Sequence, residues 1–157
     1  MYEGGLRVPA CATWPGRIKP GSRTDRVALT MDLMPTILQA AGAKTPENIE
    51  ARSFLATLLG KTQPAETRYL FFTRREGGKY EGKTIEAVIH GDWKLLQNLP
   101  GAPLELYNLK EDPQEITNLA APAKRPKQYN ELAAELDRYL KATEAVEWRR
   151  PSQRTEK

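Results

Sequence analysis

The sequence predicts an α+β chain: a strand and two short helices first, then a small antiparallel sheet packed on a C-terminal helix. Three observations carry this. Residues 84–90, "TIEAVIH", alternate Ile85, Ala87 and Ile89 against Thr84, Glu86 and His90, the period of two that a strand requires. Gly91 and Asp92 separate that run from "WKLLQN" by two residues, the spacing of a hairpin. Near the end, "YNELAAELDRYLKATEAV" sets Tyr129, Leu132, Ala133, Leu136 and Leu140 along one stripe, wide enough to cover a sheet face.

The remaining elements follow in order. "LRVPACATW", residues 6–14, is short, apolar and bounded by Gly-Gly and Pro-Gly, so it reads as a buried strand. Pro9, which lacks an N–H, marks a bulge or an edge in it. Asp32 is placed to cap a helix from Leu33, and Pro35 falls in the first turn, where its missing N–H costs little. Leu33, Ile37, Leu38 and Ala41 would be its buried face, and Gly42 its left-handed stop. "RSFLATLLGK" reads as a second short helix, capped by Ser53, closed by Gly60, with Phe54, Leu55, Leu58 and Leu59 as its buried side. The texture changes near "KTQPAE", residues 61–66, and "YLFFTR" then opens an aromatic strand. "LELYNL", residues 104–109, continues the meander, and Asp112-Pro113 supplies turn chemistry before the last helix. The division expected is residues 1–62, residues 63–148, and a disordered tail at 149–157.

Composition narrows the function classes. The 157 residues carry a net charge of +4, from 24 basic and 20 acidic side chains. The excess gathers in "AKRPK" and "EWRRPSQRTEK" and forms no basic stripe interleaved with aromatics, so no nucleic-acid partner is expected. Cys11 is the single cysteine, which leaves no disulfide framework and no cysteine-based zinc site. No apolar run approaches the ~18 residues that span a bilayer, so no membrane partner is expected either. "MYEGGLRVPA" lacks the basic, apolar, small-residue order of an export signal, and the compartment stays open.

Several motifs, in order, resemble the C-terminal portion of the type I (formylglycine-dependent) sulfatases. The first is Glu3, Gly4, Gly5, Arg7 and Pro9; next come Trp14-Pro15-Gly16, and then Asp32, Pro35 and Thr36. Residues 91–95, "GDWKL", form a fourth, and Leu106-Tyr107, Leu109, Asp112-Pro113, Glu115 and Asn118-Leu119 a fifth. The pattern is most similar to the arylsulfatase and N-acetylgalactosamine-6-sulfatase branch. The resemblance implies that the chain opens inside a motif, with a sulfate-contacting lysine just before Met1. It also implies a larger α/β domain to which the first 62 residues belong, and export or lysosomal residence.

A complete member of that family would bring a formylglycine nucleophile and Ca²⁺. The formylglycine motif, Cys/Ser-x-Pro/Ala-x-Arg, is absent: Cys11 has Thr13 at the second position after it and Pro15 at the fourth, and no serine begins the motif. Glu111-Asp112 beside Pro113 reads as a turn, not a metal site. No catalytic residue, metal ligand or bound cofactor is therefore expected in this chain. Glu3 and Arg7 are expected to pair and brace a turn near the active site, where Gly4 and Gly5 would allow torsions closed to other residues. Arg74 and Arg75, leaving a strand into "EGGKYEGK", have guanidinium forks suited to sulfated sugars, and with His90 they are the substrate-rim candidates. Lys94 reads as a solvated strand residue. The alternative is a non-catalytic module that holds sulfated glycans on its basic loops. A strand and helix face lacking their partners would also favour self-association of residues 1–60.

Overall fold

The fold was taken from a computed structural model, which describes residues 1–64 and 67–143. The expected tail at 149–157 lies outside the described residues, as do residues 144–148. The chain divides into two units, one of Met1–Val8 with Thr67–Lys157, the other Pro9–Glu66.

The first unit is built on a four-stranded antiparallel meander: β1 (Leu70–Arg75), β2 (Thr84–His90), β3 (Trp93–Gln97) and β4 (Leu104–Asn108), in that spatial order. The β2–β3 hairpin is the expected one, with His90 opposite Trp93 and only Gly91-Asp92 between them. Gly91 has φ +58°, and no positive φ falls on Asp92; a positive first torsion is what a II′-type turn demands. Helix α4 (Lys127–Thr143) covers one face. Leu132 and Leu136 are buried against Val88, Leu95 and Leu106, with Tyr129, Ala133 and Leu140 packed around them. Phe71 of β1 stacks on Tyr139 of α4, ring centroids 4.1 Å apart. The stripe read from the sequence is thus the helix's contact face.

The alternation in β2 does not divide core from solvent. Ile85, Glu86, Ala87 and Val88 are all buried. Even-numbered β2 residues face α4, while Ala87, Leu96 and Tyr107 form a second cluster on the other face with Met1, Phe72 and Leu109. Both faces are covered, so the period of two separates two cores.

The outer edge of β4 is closed by the segment that follows it. Leu119 N–H donates to Leu106 O at 2.8 Å, and Asn118 Oδ1 accepts from Leu106 N–H at 3.1 Å and Ala120 N–H at 2.9 Å. A side-chain amide here stands in for a neighbouring strand.

Residues 6–14 form no strand. Helical turn α1 spans Glu3–Leu6, residues 7–14 have no regular structure, and Val8 is 72% exposed. Pro9 therefore marks neither bulge nor strand edge. An apolar run becomes a strand only with a partner for its N–H and C=O groups, and none pairs with it among the described residues.

The second unit holds α2 (Leu33–Ala40) and α3 (Leu55–Leu58). Asp32 does not cap α2 through its side chain. Its buried carboxylate instead accepts from Leu29 N–H and from Arg52 N–H, both at 2.8 Å. Thr36 Oγ1 donates to Asp32 O at 2.6 Å and accepts from Phe54 N–H at 3.1 Å. Pro35 and Thr36 are the buried side of α2, whereas Leu33 and Ile37 are exposed, Ile37 by 64%. Of the two faces of α2, the polar hub is the one inside. No residue of α3 is fully buried, and its Ser53 accepts from Leu55 N–H at 3.2 Å.

Candidate functional site

Lys94 sits in the middle of β3 on the face away from α4, opposite Ile89 of β2 and Tyr107 of β4. It is wholly buried, at 0% exposure. Its Nζ lies 2.9 Å from Glu3 Oε1 and 2.8 Å from Glu115 Oε1. The other oxygen of Glu115 accepts from Glu3 N–H at 2.5 Å. A lysine kept out of water costs several kcal/mol unless it is paired, and here two carboxylates flank it. Residues 91 and 112 positions apart from Glu3 in sequence are thereby brought to one ion cluster.

Local structure delivers each partner. Strand parity turns Lys94 to the face opposite Leu95. Asp112 gathers the loop that carries Glu115: its carboxylate accepts from Thr117 N–H at 2.8 Å and Ile116 N–H at 3.1 Å, and its carbonyl from Glu115 N–H at 3.1 Å. The Thr117 bond first, then that from Ile116, holds the Asp112 carboxyl below the usual carboxylate range. Glu115 adopts φ +57°, a left-handed torsion uncommon outside glycine, and this turns the chain back toward the sheet.

Beside the cluster, Tyr2 and Tyr107 both donate to Glu105 Oε2 at 2.8 Å, their rings edge to face with centroids 6.2 Å apart. Burial, then the bond to Glu105, pushes the Tyr107 hydroxyl well above the usual phenol range. The start of the chain is thus fastened to the sheet by an ion cluster and a tyrosine pair.

Three expectations change. Glu3 pairs with Lys94 rather than with Arg7, whose backbone N–H donates to Glu3 O at 2.7 Å. Gly4 and Gly5 lie in the α1 turn without positive φ, so no torsion closed to other residues is used there. Lys94, expected in solvent, is the most deeply buried charge of the site. Its signal was available: "WKLLQ" has apolar residues at both parities, the mark of a strand covered on two sides.

The rim candidates do not converge. Arg74 lies at the end of β1 on the Lys94 face, and its Nε donates to Glu76 Oε1 at 2.7 Å. Arg75 Nη1 donates to Gly82 O at 2.9 Å and holds the β1–β2 loop. His90 is at the far end of β2, on the α4 face, stacked on Tyr69 at 4.1 Å with Nδ1 3.8 Å from Glu131. Since Arg75 opposes Thr84, the six-residue separation along β2 places His90 ~20 Å from the arginine end.

Comparison with known proteins agrees with this architecture. The family described as "N-sulphoglucosamine sulphohydrolase, C-terminal" matches residues 1–145. A sulfatase of Formosa agariphila is 32% identical over 153 residues, covering 90% of this chain and 27% of that protein. Human arylsulfatase A is 36% identical over 141 residues, covering 75% of this chain and 27% of its own length. The solved structure of BT4656 in complex with its substrate D-glucosamine-2-N,6-O-disulfate superposes with a TM-score of 0.67 at 26% identity, covering 85% of this chain and 28% of that one. The chain belongs to the sulfatase family and corresponds to its C-terminal portion. It spans about a quarter of the length of the curated relatives it matches.

Proposed function

We propose that this chain serves a sulfuric-ester hydrolase acting on sulfated sugars or aryl sulfates, as a supporting wall rather than as the bearer of the reactive groups. The observation that carries the reading is the ion cluster. It joins Glu3 of the Glu-Gly-Gly run, Lys94 of "GDWKL" and Glu115 of the Asp-Pro-x-Glu run, three of the motifs on which the resemblance to sulfatases rests. Relatives support the substrate class: one is an N-acetylglucosamine-6-O-sulfatase of Bacteroides thetaiotaomicron, 30% identical over 137 residues.

The Ca²⁺ and formylglycine of a complete sulfatase do not fit the groups present. Among the described residues no cluster of three His, Cys, Asp or Glu side chains could hold a metal ion, and Cys11 stands outside a formylglycine motif. Glu3 and Glu115 are engaged by Lys94. Arg74 and Arg75 are the contacts we assign to a sulfated ligand at the substrate rim, His90 forming a separate point at the other end of the sheet.

The test is direct. The purified chain, supplied with Ca²⁺ and an aryl sulfate, should release no sulfate above buffer; release would overturn the supporting role. Retention on immobilised heparin should fall in an Arg74→Ala/Arg75→Ala variant, and unchanged retention would remove these two arginines from the rim.

A further inference from the structure

We infer that Lys94 and Glu115 are positioning residues for the Glu3–Leu6 turn: the meander and its following loop dictate where the Glu-Gly-Gly backbone sits. Only the use to which the turn is put rests on the sulfatase reading; the clamp itself stands on geometry.

Apolar packing cannot do this holding. No residue of α1 is buried. Nothing lies within 4 Å of where a Cβ would stand on Gly4 or Gly5, so the turn is not wedged in place by close contact. The turn closes two bonds of its own, Gly5 N–H to Tyr2 O at 3.0 Å and Arg7 N–H to Glu3 O at 2.7 Å. A single helical turn is unstable in isolation, because nucleation fixes several torsions for each hydrogen bond gained. Among the described residues, its attachments to the sheet include Glu3 on Lys94, Glu3 N–H on Glu115, Tyr2 on Glu105, the edge-to-face contact of Tyr2 with Tyr107, and the packing of Met1. Of these, the Lys94 contacts are the most buried, and a low-dielectric setting strengthens the attraction between Lys94 and its two carboxylates. Removing the cation would leave two carboxylates facing each other at close range, which drives the turn away.

The left-handed torsion of Glu115 points the same way. Such a torsion costs about 1 kcal/mol or more and persists where surrounding bonds over-determine it. Here Asp112 fixes the loop from one side, and Glu3 with Lys94 engages the carboxylate from the other.

Hydrogen exchange on the full chain tests the assignment. In Lys94→Met, the amides of Glu3, Gly5 and Arg7 should lose protection at least tenfold, while the β2–β3 ladder amides keep theirs. Glu115→Gln retains an acceptor for Glu3 N–H and removes only the charge, so its loss should be smaller. Unchanged protection at the three amides, or an equal loss across sheet and turn, would overturn the inference. Should Lys94→Met fail to fold, Glu3→Gln decides: it leaves Lys94 paired with Glu115, and the same local loosening with an intact sheet is expected.

Discussion

Asp112 shows what a carboxylate can do without meeting a cation. It organises residues 115–117 by accepting backbone N–H groups, and the loop then aims Glu115 at Lys94. Because those bonds favour the ionised form, its pKa is lower in the folded chain than in the unfolded one. Its contribution is therefore complete above the ordinary aspartate value of about 4 and fades as pH falls through the lowered native value. Asp112→Ala should lower the urea midpoint at pH 6, and the gap from the parent should close as the pH is taken down through that window. A gap independent of pH would show that the ionised carboxylate is not what orders the loop.

At the scale of elements, α4 and α2 make a contrast between covered and bare faces. Leu132 is 1% exposed, at the centre of the core between α4 and the sheet. Leu132→Ala should cost about 2–5 kcal/mol by urea denaturation. Lys141→Ala breaks an exposed pair with Asp137 at 2.7 Å and should cost under about 1 kcal/mol. Much of this layer was legible in advance. The two-residue hairpin, the α4 stripe and the Asp112-Pro113 turn all rest on neighbours in sequence, where spacing and turn chemistry suffice. Residues 6–14 were misread because an apolar run records a preference for burial and says nothing of the strand that must pair with it. For Lys94, "WKLLQ" carries the mark of a strand covered on both sides, but the carboxylates that pair with it, Glu3 and Glu115, lie far off in sequence, a fact no local window contains. Arg74, Arg75 and His90 could be nominated from chemistry, but their separation along β2 needed the register.

For the molecule as a whole, what matters is the apolar surface left outside. Val27, Met31, Leu33, Met34 and Ile37 are all exposed within eleven positions of sequence. The curated relatives are nearly four times as long as the stretch they share with this chain. Exposed apolar surface of this kind favours association in general, and we propose that the isolated chain self-associates through it. Sedimentation velocity should show the parent associating as concentration rises, and a Leu33→Lys/Ile37→Lys variant staying monomeric with unchanged circular dichroism. A parent that is monomeric throughout the concentration series would contradict this. Among the described residues no helix is long and apolar enough to cross a membrane.

The turn at Gly91-Asp92 governs more than its own two residues. It fixes the pairing of His90 with Trp93, and a one-residue slip of that register would present Lys94 to the leucines of α4 and send Leu95 to the opposite side. Substitutions that keep this register should be tolerated in the turn. The link between β1 and β2, residues 76–83, is longer, and changes of length there should be tolerated better than in the two-residue turn.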